Sequence, residues 1–328
     1  MINPVTISQE DFNSLASYYS DSSINLRWDL VFTLPIWLKV WWQNFGAGGD
    51  LFIRSVRQDG KIIGLAPLQV RNGIASIVGS VDVCDYQDFI LVPGLERDFF
   101  NAILDDLNQN GIRELHLETV RPDSTVAVHL IPLAQERKYK VDYHQSDVSA
   151  DLDLPASWDE YMALLDGKQR HEIKRKMRNL GDLGETSFRA IEKKEEIPAA
   201  IDNFLKLFPE SRGDKAQFMT GPMQTFFRSM TEALSEIGIA RFASLELSGK
   251  PLAMIFYFDY NENVYLYNSA YDPAYKSMSV GIISKTRCIQ DNIAKKKRKF
   301  DFLKGAEQYK NYLGGKEIKL YSCHISME

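Results

Sequence analysis

A chain of 328 residues, 45% hydrophobic and 25% charged, carries apolar side chains enough for one large or two smaller domains. A net charge of −5 argues against a general nucleic-acid-coating role. Three scattered cysteines, Cys84, Cys288 and Cys323, form no paired motif, which excludes a disulfide framework or cysteine-based zinc site and fits a reducing compartment.

The opening Met1-Ile2-Asn3-Pro4 lacks the basic and apolar stretches of a signal peptide, and no apolar run approaches the ~20 residues that cross a bilayer, so a cytoplasmic chain is expected. Trp37, Trp41 and Trp42 fall at helical spacing and read as core rather than as a stacking platform. Gly46-Ala47-Gly48-Gly49 follows that helix instead of opening one, so it reads as a connector and not a phosphate loop. Alternation then predicts strands over 51–56 and 61–70 joined at Asp59-Gly60, and a third over 74–79, followed by Asp85-Tyr86. Residues 99–107 read as a helix, stopped by Asn110-Gly111, and 115–118 resume as a strand.

Residues 157–178 read as one helix, with Ser157 as N-cap and Glu160 three residues on; it turns basic through Lys168, Arg170, Lys174, Arg175, Lys176 and Arg178 and stops at Gly181 and Gly184. A strand over 186–191 and helices over 197–208 and 223–237 follow. Strands over 240–247 and 250–260 turn at Ser248-Gly249, and 264–268 make a third strand before Tyr271-Asp272. Ile282, Thr286, Ile289 and Ile293 form a helical stripe, Lys295 to Lys299 are all basic, and 300–303 close as a strand. A last strand over 317–326 is expected to complete the second sheet. The basic runs read either as solvated helix segments or as a meeting place for a phosphate-rich ligand.

The chain therefore repeats itself: meander, helix, strand, twice over. A helical crossover requires its flanking strands to be parallel in an otherwise antiparallel sheet. The expected fold is α/β, with two tandem lobes of mixed, mostly antiparallel sheet flanked by helices. The expected division is 1–156 as the first lobe, 157–185 as a basic connecting helix and 186–328 as the second lobe.

The stretch Tyr271-Asp272-Pro273-Ala274-Tyr275, with Ser277, Met278, Ser279, Val280 and Gly281 after it, opens a helix directly behind a strand. Such a terminus offers unpaired amides and a positive dipole end to a diphosphate; a purely structural helix start is the alternative. With the block Phe300-Asp301-Phe302-Leu303-Lys304-Gly305-Ala306-Glu307-Gln308-Tyr309-Lys310, the basic helix 170–178, and the first-half landmarks Leu34 to Trp42 and Asp85-Tyr86-Gln87-Asp88-Phe89, it resembles the CelD/FemAB-like (BioF-like) branch of the GNAT acyltransferases. Two departures stand out: Met278 occupies a position where that branch often has Pro, and the acidic residue of the second block is shifted by one.

The resemblance implies two GNAT-like lobes and an acyl-CoA donor, with the amides of Met278 to Gly281 on its diphosphate and Lys276, Ser277 and Lys304 around it. It places the thioester between parting strands at 264–270 and 300–303. It also implies a small-molecule or glycan acceptor between the lobes, in envelope or exopolysaccharide metabolism. Aminoacyl transfer from charged tRNA, and a non-catalytic lobe pair serving a polysaccharide-synthesis assembly, are the competing readings.

A base must take a proton from the acceptor and an acid can meet the departing thiolate. Asp85, Asp88 and Glu307 at strand ends are candidate bases, Tyr309 a candidate acid, and Lys310 a candidate for orienting an anion. Turn chemistry for Asp85 and Asp88, and a local ion pair for Glu307 with Lys310, are the alternatives. Cys84 has no identifiable partner His, and His171-Glu172 has Arg175 where a zinc helix needs its second His. With His116, His129, His144 and His324 also at no ligand spacing, no metal is expected.

Overall fold

The computed structural model describes residues 5–182, 184–211 and 213–328, divided between two units: Met1–Val148 with Lys319–Glu328, and Ser149–Ile318. In the first, β1 (Val5–Gln9), α1 (Phe12–Ser20) and α2 (Pro35–Phe45) lead to the hairpin of β2 (Asp50–Gln58) and β3 (Lys61–Arg71), which turns at Asp59 and Gly60, both at positive φ. The chain goes on through β4 (Ile74–Ile77), β5 (Ile90–Leu91), α3 (Glu96–Gln109), β6 (Glu114–Val120), α4 (Ile131–Glu136) and β7 (Lys140–Asp153). Because α3 carries the chain back along the sheet, β6 lies parallel to β4, from Ile74 opposite Glu114 to Ser76 opposite His116; the pairs β1·β2, β2·β3 and β3·β4 are antiparallel. The buried face of α3, Phe99, Phe100, Ile103, Leu104 and Leu107, packs in one cluster with Ala75, Ile77, Leu115 and Leu117. A Cβ on Gly64 of β3 would overlap the Phe99 ring and Leu91, so this close helix–sheet approach depends on glycine.

The second unit contains α5 (Trp158–Leu164), α6 (Gly167–Gly181), β8 (Thr186–Ile191), α7 (Ile197–Ser211), α8 (Gly213–Phe218), α9 (Gly221–Glu236), β9 (Ala240–Leu247), β10 (Lys250–Tyr260), β11 (Asn263–Tyr271), α10 (Val280–Ala294), β12 (Lys299–Lys304) and α11 (Gln308–Tyr312). Its sheet runs from the end of β7 through β12, β11, β10 and β9 to β8, with β11·β12 the parallel pair that the α10 crossover demands. Alternation along β10 separates two layers. Ile255 and Tyr257 join Cys288, Ile289 and Ile293 of α10, while Phe256 stacks on Phe242 at 4.5 Å and meets Phe204 of α7 and Phe227 of α9. Both units are thus α/β, each a mixed, mostly antiparallel sheet with one parallel pair, as the internal repeat predicts.

Three expectations need correction. The last strand, β13 (Lys316–Ser326), does not complete the second sheet: it pairs antiparallel with β6, Cys323 opposite Leu117 and Ile325 opposite Leu115, and residues 319–328 cluster with the first unit. The reason is burial, since Cys323, Ile325 and Met327 enter the core that α3 covers. Nor is 157–178 one helix. Leu165 is extended (ψ 151°), and Asp166 starts a new helix through a reciprocal capping box with Gln169, its Oδ1 accepting from Gln169 N at 2.7 Å. That basic segment belongs to the second unit rather than standing as a connector.

Candidate active site

The parallel pair in the second unit is short. β11 and β12 pair from Asn263/Lys299 to Tyr265/Asp301; beyond that β11 follows β10 to Tyr271 while β12 follows β7 to Lys304. The two strands part there, leaving a wedge whose backbone groups are not used up by each other. The parting is built into β12. Buried Asp301 accepts from Leu303 N at 2.8 Å, and Leu303 sits at φ 60°, a left-handed conformation that costs a non-glycine residue roughly 1–2 kcal/mol.

Lys310 holds this bulge in place. Its Nζ donates to the carbonyls of Leu303 (2.9 Å), Lys304 (2.7 Å) and Gly305 (2.8 Å) and lies 3.0 Å from Glu307 Oε2, with the side chain only 3% exposed. Three N–H groups on three carbonyls leave Lys310 no donor for a ligand. Gly305 closes the turn at φ 116°, and a Cβ there would sit 2.5 Å from Glu307 Oε2. Glu307 is half-exposed at the N-cap position of α11. The structure therefore gathers Lys304, Glu307, Tyr309 and Lys310 on one turn, with the Glu307–Lys310 ion pair formed.

On the other side of the wedge, Asp272 caps a 3-10 turn, Pro273–Met278, by accepting from Ala274 N at 2.9 Å. Ser279, at φ 57°, joins that turn to α10. Its own amide donates to Lys276 O, and its carbonyl accepts from Ile282 N and Ile283 N. The amides of Val280 and Gly281 have no backbone acceptor among the described residues. The first turn of α10 contains no acidic residue, so the dipole end is uncompensated. Lys176 of α6 donates to Ser279 Oγ at 3.0 Å, bringing a cation of the basic run to this terminus. Lys276 and Ser277 are exposed; Met278, Ser279 and Gly281 are half-buried; the Val280 side chain is buried.

One residue escaped the sequence reading. Lys285 of α10 is 6% exposed, donates to Gly281 O at 3.1 Å and rests 4.7 Å above the Tyr309 ring. Burial, reinforced by the charge of Lys215, pulls its amine down to about 7. Lys215 of α8 in turn donates to Ser269 O, on the parted end of β11. The signal that could have found Lys285 is spacing: it stands three before Cys288 and four before Ile289, on the apolar stripe.

Asp85 and Asp88 belong to the first unit. Asp88 is engaged: it accepts from Phe89 N and Thr125 N, both at 2.9 Å, capping the turn that starts Val126–Leu130, while desolvation raises its carboxyl above the ordinary value. Asp85 is half-buried between Cys84 and Tyr86. Cys84 itself is buried and accepts from Trp37 Nε1 at 3.2 Å, a core role shared with Trp37 and Trp41. Strand pairing brings His116, His144 and His324 together, the first and last stacked at 4.0 Å. No group of metal-ligating residues is found among the described residues, and none of their helices is long and apolar enough to cross a membrane.

Residues 167–311, from the start of α6 to α11, match the family model described as "Acetyltransferase (GNAT) domain". Among solved structures, FemX aligns with a TM-score of 0.66 at 11% identity over 98% of both chains. The C-terminal domain (DUF2156) of a putative lysylphosphatidylglycerol synthetase from Agrobacterium fabrum aligns at 0.57, with 10% identity over 81% of both chains. A tandem GNAT protein from the clavulanic acid biosynthesis pathway aligns at 0.50, with 12% identity over 98% of both. At these identities the likeness is one of fold. No curated protein sequence matches the chain.

Proposed function

Since residues 167–311 of this chain belong to the GNAT acetyltransferase family, within a fold like that of FemX, we propose that the second unit moves an acyl group from coenzyme A to an amine or hydroxyl. The observation that carries the reading is the wedge between β11 and β12 with the start of α10 at its side. In this reading the amides of Val280 and Gly281, flanked by Met278 and Ser279, bind the diphosphate, and Lys176, Lys276, Ser277 and Lys304 add charge or hydrogen bonds. The pantetheine arm adds to the parted edge of β11, which puts the thioester near the turn that Lys310 and Glu307 hold. Tyr309 meets the departing thiolate. Asp88 is engaged in capping; the acceptor, as the family resemblance suggests, is a glycan or small molecule.

Coenzyme A or acetyl-CoA at millimolar concentration should raise the melting temperature, because a ligand of the native state stabilises it by mass action. Absence of a shift with short and long acyl-CoAs alike would reject the donor. A second reading, aminoacyl transfer from charged tRNA, is favoured by the FemX-like fold and by the basic helix α6, whose Lys176 reaches the start of α10. It predicts retention of charged tRNA that weakens steeply with added salt.

A further inference from the structure

Proton removal from the acceptor needs a group inside the wedge, and the carboxylates of that region are engaged. Glu307 is paired with Lys310, and Asp301 accepts from Leu303 N. Lys285 is differently placed. Its Nζ lies 3.1 Å from Gly281 O at the first turn of α10 and 4.7 Å from the Tyr309 ring beyond β12. Lys215, whose charge bears on this amine, bonds Ser269 O on the parted end of β11. The amine of Lys285 therefore lies between the first turn of α10 and the Tyr309 ring, and among the described residues its hydrogen bond goes to a neutral carbonyl.

We propose that Lys285 takes the acceptor's proton during acyl transfer; the proposal rests on the acyl-CoA reading above. As the acceptor nitrogen or oxygen attacks, its bond to the thioester carbonyl carbon forms and its proton passes to Lys285 Nζ. The carbon–sulfur bond then breaks, the coenzyme leaves as thiolate, and the proton on Nζ returns to sulfur, restoring the free amine. A lysine can do this only when a substantial share of its amine is neutral near pH 7, and the surroundings favour that state. Burial comes first, then Lys215, with Lys310 acting in the same sense; Glu307 and Cys288 oppose them, and Tyr309 faces the amine with its ring.

The test uses the full chain. Competitive labelling of the wild type with acetic anhydride across pH, read by mass spectrometry of the peptide bearing Lys285, should give a reactivity midpoint near 7, and coenzyme A should protect this lysine. Thiol release from acetyl-CoA should rise with pH through the same midpoint. Lys285→Met and Lys285→Arg should keep the coenzyme A-induced melting shift, lose about a hundredfold in turnover, and lose that pH limb. Failure of coenzyme A to shift the wild type would overturn the donor reading and this inference with it. Retained binding with unchanged turnover and pH profile in both variants, or labelling indifferent to coenzyme A, would overturn this inference alone.

Discussion

Lys310 follows Tyr309, whose ring faces Lys285, and the two amines are held in opposite ways. Lys310 is compensated: three carbonyls and a carboxylate surround its Nζ. Replacing it by Met strips three turn carbonyls of their donor and frees Leu303 from its left-handed pose. Lys310→Met should therefore cost about 2–4 kcal/mol, seen as a lower urea midpoint at unchanged slope. Lys285 has one carbonyl and a ring, and its amine is held below the ordinary 10.5, at about 7, by burial and then by Lys215. Between those two values the unfolded chain binds a proton that the folded chain does not, so stability rises with pH across that window. The gain of Lys285→Met over wild type should grow as pH falls from about 10 to about 7 and level off below. A difference independent of pH would show that the amine is charged in the folded state.

At the scale of elements, the start of α10 separates binding from stability. A carboxylate in the first turn favours a helix by about 0.3–1 kcal/mol yet repels an anionic ligand. The position a Cβ would take on Gly281 is 3.5 Å from Tyr271, ordinary contact, so a side chain fits. Gly281→Asp should raise or preserve the melting temperature while weakening coenzyme A by at least about tenfold. Equal binding by this variant would mean that the helix start has a structural role only. The strands of the two meanders, both crossovers and the α10 stripe were legible because alternation and helical spacing are local, whereas β1, β5 and β7 were not read. The break at Leu165 was not, since Asp166 and Gln169 form a capping box inside a run whose composition stays helical across it. Lys285 was not, because a lysine on a helix reads as solvent-facing until the fold buries it against the Tyr309 ring.

At the scale of the molecule, β13 shows where local reading ends. Its alternation announces a strand, but only burial of Cys323, Ile325 and Met327 chooses β6 as the partner. Truncation before Lys319 should thus damage the first unit, leaving β6 with an unpaired edge and the α3 core without its floor. The shortened chain should aggregate or lose the cooperative transition of the first unit, whereas a trimmed tail of no structural weight would leave melting unchanged.

The path of the chain also sets a schedule. All of Ser149–Ile318 is translated between the two pieces of the first unit. On the ribosome, the half made first has to wait with its α3 core partly open, while the half made second already has every strand it needs. A nascent chain stalled just past Ile318 should protect α10 and β12 from protease before it protects α3.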